Sequence, residues 1–122
     1  RLIGKMSEKL YKLFREKIML LDGAMGTALQ DRNLSANDFG GEDLDGCNEN
    51  LVLTRPEIIQ EIHEEYLEAG ADIVETNTFG GANFVLGEYG LESKVEEINS
   101  KAVELAKAAC KKFSPPEKGT SP

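Results

Sequence analysis

Two short clusters of polar residues stand where a strand would end. The first is Asp22-Gly23, after the apolar run Ile18-Met-Leu-Leu21. The second is Glu75-Thr76-Asn77, after Ala71-Asp-Ile-Val74. Asp22 can accept hydrogen bonds from an ammonium group, and Gly23 and Gly26 allow the backbone to come close to a ligand. Thr76 and Asn77 can donate to a carboxylate and accept from an amine. Such groups suit a zwitterionic, amino-acid-like ligand. On local pattern alone the alternative stays open: Asp-Gly after a strand also reads as a plain turn, and Thr76 and Asn77 also read as satisfied structural groups. The glycines form neither a dinucleotide fingerprint nor a phosphate-binding loop.

The elements that must position these clusters follow from periodicity. Ile18-Met-Leu-Leu21 is too short for a helix and apolar throughout, as a strand buried on both faces would be. Ala71-Asp-Ile-Val74, running into Glu75-Thr-Asn-Thr-Phe79, reads as a second strand. Residues 7–17 read as an amphipathic helix with Ser7 as its N-cap and Leu10, Leu13 and Phe14 on one face. Thr54 and Glu57 have capping-box spacing with Pro56 in the first turn, so a helix runs from there to Glu68, burying Ile58, Ile59, Ile62 and Tyr66 and stopping at Gly70. Residues 83–88 suit a short helix. Residues 91–113 carry Leu91, Val95, Ile98, Ala102, Leu105, Ala109 and Phe113 at spacings of three and four, a long helix. Between them, residues 31–50 are polar and glycine-rich, an ordered excursion with a helical turn after Ser35. Residues 114–122 read as a linker-like or disordered tail.

Strand, helix and strand in this order require a right-handed parallel crossover. The fold class is therefore α/β. Two parallel strands cannot close a sheet, and strands this apolar belong to a barrel or a doubly wound sheet, so the chain reads as incomplete.

Composition narrows the partners. With 14 basic and 22 acidic residues the 122-residue chain carries a net charge of -8, which disfavours nucleic acid. No segment approaches the roughly 20 apolar residues of a membrane span, and the N-terminus lacks the features of a secretory signal, so the expected compartment is the cytoplasm. Cys47 and Cys110 have no metal-like spacing; they read as free thiols, with a disulfide as the alternative. His63, the only histidine, lies beside the apolar stripe of its helix, away from the strand ends, and reads as structural.

Two segments carry a resemblance. Leu20-Leu-Asp-Gly-Ala-Met-Gly-Thr27 and Glu68-Ala-Gly-Ala-Asp-Ile-Val-Glu-Thr-Asn-Thr-Phe79 resemble the first two strand-loop signatures of homocysteine S-methyltransferase domains. Gly46-Cys-Asn-Glu-Asn-Leu-Val-Leu-Thr-Arg-Pro-Glu57, with Asn37-Asp-Phe39 before it, is similar to the version found in cobalamin-dependent methionine synthases. The resemblance covers about residues 8–112. It implies the N-terminal portion of a (β/α)8 TIM barrel, two parallel strands with their helices, over residues 1–113. It implies that Asp22 and Gly23 hold the amino group of homocysteine, that Thr76 contacts its amino-acid end, and that Glu75 and Asn77 are neighbours of the site.

The same resemblance implies a zinc ion held by three cysteines of later strands, and a methyl donor, methylcobalamin recharged from methyltetrahydrofolate, on another domain. Neither catalytic nor metal-ligating residues are expected within this chain, and the segment alone is expected to be inactive. Two alternatives remain: a cobalamin-independent enzyme using betaine or S-methylmethionine, and a non-catalytic α/β fragment.

Overall fold

A computed structural model describes residues 2–114, with side chains from Ser7 onward. Seven α-helices are present among these residues: α1 (Leu2–Glu16), α2 (Met25–Gln30), α3 (Ala36–Phe39), α4 (Leu51–Thr54), α5 (Pro56–Glu68), α6 (Asn83–Gly87) and α7 (Val95–Phe113). Short 3-10 turns sit at Glu42–Leu44, Asn48–Asn50 and Glu92–Lys94.

The core is helical. α5 and α7 make the most extensive contact in the molecule, and α4 packs against both. Ile59 and Ile62 of α5, Leu51 and Val52 of α4, and Ile98 and Ala102 of α7 are fully enclosed. Burial of each large aliphatic side chain contributes about 1.5–3 kcal/mol. Ala102, Ala106 and Ala109, at helical spacing on the inner face of α7, let the two helices approach closely. Glu96 and Glu97 open α7, and Lys111 and Lys112 close it, matching the helix dipole. Lys112 Nζ also reaches Glu64 Oε1 on α5 at 3.2 Å.

The two expected strands do not form as strands. Among the described residues the only β pairing is one parallel bridge, Leu21 to Ile73. The segments do lie side by side in the expected direction: Asp72 N and Ile73 N donate to Leu20 O at 2.8 and 3.1 Å, and Asp22 N donates to Ile73 O at 2.9 Å. The pairing stays this short because, among the described residues, neither segment has a second strand beside it. Ile18, Leu20 and Leu21 remain 88%, 56% and 55% exposed, where a strand buried on both faces would hide them.

The helix ends show further departures. α1 starts well before Ser7, which sits inside the helix and does not cap it. Leu10 and Phe14 are exposed, so the apolar face of α1 lies outside the core. The Thr54 capping box is absent. Leu51-Val-Leu-Thr54 is itself a helical turn, so Thr54 closes α4 by donating to Asn50 O at 3.3 Å, and Arg55 precedes Pro56 at the start of α5. A capping arrangement appears instead at α3, where Ser35 N and Oγ donate to Asp38 Oδ2 at 2.8 and 3.1 Å. Gly70, at φ +113°, ends α5 as expected: Ala71 N donates to Tyr66 O at 3.0 Å. Phe113, expected on the buried stripe of α7, is 40% exposed. The tail from residue 115 lies outside the described residues.

Candidate functional site

Asp72 fixes how the two extended segments meet. Its Oδ1 accepts from Lys17 Nζ at 2.6 Å and its Oδ2 accepts from Leu20 N at 3.0 Å. The Lys17 ammonium, with the Leu20 amide, holds the Asp72 carboxyl below its ordinary range. With Leu20 locked to residue 72, the parallel direction carries Asp22 and Glu75 to the same end. Asp22 Oδ2 then accepts from Glu75 N at 3.1 Å, joining the two loops directly.

A cleft of ≈ 360 Å³ opens at this junction. Asp22, Gly23, Glu75, Thr76 and Asn77 all line it, together with residues 24–26, Asn48, Glu49 and Phe79. The five residues singled out from the sequence therefore share one cavity. A depression of ≈ 440 Å³ elsewhere, between residues 40–44 and 89–91, is larger but has no comparable convergence of polar side chains.

The members of the cleft differ in what they have free. Asn77 is nearly buried, and its Nδ2 donates to Asn48 O at 2.8 Å, so its amide tethers the long excursion to the second loop. Thr76 Oγ1 lies 2.7 Å from Thr78 Oγ1. Glu75 is exposed. Asp22 has one oxygen on the Glu75 amide, while its Oδ1 is buried with no hydrogen-bond partner. Gly23 is required by packing: a Cβ there would lie 2.8 Å from Tyr66 Oη and 2.9 Å from Tyr66 Cε1. The Tyr66 hydroxyl donates to Ala24 O at 2.9 Å, clamping this loop onto α5.

Sequence reasoning missed Asn48 and Glu49. They enter because residues 31–50 fold back over the strand ends, where Glu49 Oε1 accepts from Gly80 N at 2.9 Å. Their only signal was position within Gly46-Cys-Asn-Glu-Asn50, since they follow no periodicity. His63 is packed within the helical core, in line with its structural reading. It is 0% exposed, on the face of α5 that Tyr66 presents to the Asp22 loop, and neither ring nitrogen has a partner. Burial pushes its pKa below the ordinary histidine value, and the charge of Asp22 opposes that shift.

No cluster of three or more metal-capable side chains exists among the described residues. Cys47 is 1% exposed, Cys110 is half-buried on α7, and both thiols are unbridged, with burial pushing each pKa up. No described helix is long and apolar enough to cross a membrane.

The cleft thus lies where the paired parallel segments end, lined by the carboxylates of Asp22, Glu49 and Glu75 and the hydroxyl of Thr76. Residues 19–119 match the sequence model of the family described as Homocysteine S-methyltransferase, and the chain belongs to that family. Among its relatives are "Methionine synthase" of Mycobacterium leprae (strain TN), 42% identical over 108 residues, and "Methionine synthase" of Mycobacterium tuberculosis (strain ATCC 25618 / H37Rv), 40% identical over 109 residues. These alignments cover 88% and 89% of this chain, and 9% of each relative. The chain thus spans about 9% of the length of the curated relatives it matches.

Proposed function

We propose that residues 1–113 form the opening part of a (β/α)8 homocysteine-binding barrel. The parent would be a cytoplasmic enzyme that transfers a methyl group from methylcobalamin to zinc-bound homocysteine, yielding methionine. Methyltetrahydrofolate would recharge the cobalamin on another domain. Family membership and the methionine synthase relatives support the reading. The observation that carries it is Asp22, whose carboxylate joins the two loops and faces a cleft shared with Thr76.

In this reading the residues of the chain bind and orient the substrate. The Asp22 carboxylate accepts from the homocysteine ammonium, and Gly23, having no side chain, lets that group approach the loop. The Thr76 hydroxyl meets the substrate carboxylate, with Glu75 and Asn77 beside it. Fixing the amino-acid end places the sulfur, and that placement is the catalytic contribution of this segment. The zinc does not fit the residues present: Cys47 and Cys110 stand apart in sequence, and neither belongs to a ligand cluster. Its three cysteine ligands are assigned to later strands, so no step is routed through this chain's cysteines.

The test is a titration of L-homocysteine into the isotopically labelled chain, followed by amide shifts. A ligand held by two or three charge-assisted hydrogen bonds should bind with a Kd on the order of millimolar. The shifts should centre on residues 22–26 and 75–78, and Asp22→Asn should weaken binding about tenfold. Shifts centred elsewhere, or an unchanged Kd in Asp22→Asn, overturn the assignment.

A further inference from the structure

His63 is a buried titratable group that the proposed binding scheme leaves unused. It is fully enclosed on α5, yet both ring nitrogens lack a hydrogen-bond partner. A neutral imidazole carries one N–H donor and one acceptor nitrogen. Leaving such groups unpaired in an apolar interior is costly, so native interiors pair them. Asp22 Oδ1 is buried and unpaired as well, and it is an acceptor.

Three observations put the two groups on the same side of α5. Tyr66 lies three residues after His63, on the same side of the helix. Its hydroxyl donates to Ala24 O, and its ring fills the space that a Gly23 side chain would need. That face of α5 therefore supports the loop that begins at Asp22. The charge of the Asp22 carboxylate also registers at the His63 ring. On the far side, Asp22 is held only through Oδ2, by the Glu75 amide.

We propose that His63 is a positioning residue whose imidazole N–H is the donor for Asp22 Oδ1, so that the carboxylate is held from below by α5 and from the side by Glu75. The inference rests on the homocysteine reading for its consequence but not for its geometry. A carboxylate anchored at both oxygens keeps one orientation and presents its remaining lone pairs to an ammonium group. With one anchor it can rotate about its last bond and lose alignment. The ring must be neutral, with the N–H facing Asp22, and enclosure in the helical core favours that form.

Because the chain has a single histidine, long-range proton–nitrogen NMR of the whole chain reads its ring without ambiguity. The expected wild-type spectrum is one locked neutral tautomer between about pH 6.5 and 8, at and above the ordinary histidine value. Asp22→Asn should release it to a mixture of tautomers and lower its apparent pKa further. His63→Phe should weaken L-homocysteine binding about tenfold, and His63→Gln, which restores an N–H donor, should recover most of that loss. An unlocked tautomer in the wild type, or a locked one indifferent to Asp22→Asn, overturns the proposal. Should His63→Phe fail to fold, the Asp22→Asn spectrum decides alone. A wild-type chain that ignores homocysteine but keeps the Asp22-dependent tautomer upholds the pairing and overturns the homocysteine reading.

Discussion

Adding one methyl group at Gly23 should loosen the loop that carries Asp22. The new Cβ would fall 2.8, 2.9 and 3.1 Å from Tyr66 Oη, Cε1 and Cζ. Contacts this short cannot persist, so either the loop lifts or the ring swings aside. Movement of either kind breaks the 2.9 Å bond from the Tyr66 hydroxyl to Ala24 O. Losing that bond costs about 0.5–1.5 kcal/mol. Displacing a ring packed against the core adds a strain of about 1 kcal/mol, the low end for an overpacked site, because the ring is only partly enclosed. The sum is about 1.5–2.5 kcal/mol. With a urea dependence of about 2 kcal/mol per molar, Gly23→Ala should lower the unfolding midpoint by about 0.8–1.3 M. The companion measurement is the same substitution in a Tyr66→Leu background, where the crowded ring is gone and the added cost should shrink to under about 0.5 kcal/mol. Equal costs in the two backgrounds would refute the steric argument, since the penalty would then belong to the backbone of Gly23.

Three further outcomes are expected. Asp38 is held below its ordinary pKa first by the Ser35 amide, then by the Ser35 hydroxyl and Arg55. Its stabilising effect is therefore full above the unfolded-state value of about 4 and fades as pH falls through the lower folded-state value; acid unfolding curves of wild type and Asp38→Asn should differ above pH 4 and converge below it, and parallel curves would count against this. Both thiols are unbridged, and Cys47 is the more deeply enclosed, so alkylation under native conditions should mark Cys110 first and Cys47 only on unfolding; prompt modification of Cys47 would contradict its burial. Finally, the purified 122-residue chain supplied with zinc, methylcobalamin and homocysteine should form no methionine, as judged by product chromatography, because it lacks a thiolate triad; measurable turnover would show that the proposed division of labour is wrong.

Legibility in the sequence tracked how local each feature is. The long helix α7 was readable because its apolar spacing runs over five turns, and the end of α5 because Gly70 alone can take the required left-handed turn. Residues 18–21 and 71–74 were readable as parallel neighbours from their apolar runs, but whether they become strands depends on partners that no local pattern describes. Thr54 failed as a cap because the preceding turn of helix had already claimed it, a competition invisible to a four-residue motif. In the cleft, Asp22 and Thr76 were readable from their place after apolar runs. Asn48 and Glu49 reach the cleft through tertiary folding of an aperiodic segment, which no local pattern describes.

The Asp72 clamp has a kinetic consequence. It joins Asp72 to Leu20 and Lys17, 52 and 55 positions away, through a partly exposed ion pair, whereas the packing of α5 on α7, although also distant in sequence, is backed by buried apolar side chains. Closing a loop of about 50 residues carries an entropy cost that must be met before any bond across it forms, and an exposed ion pair offsets less of that cost than a buried apolar interface does. The helices should therefore gather first and the two loops be drawn together afterwards, with Asp72 as the latch. The cleft is then the last part of the chain to take shape as it folds, and the first to come apart when the latch opens.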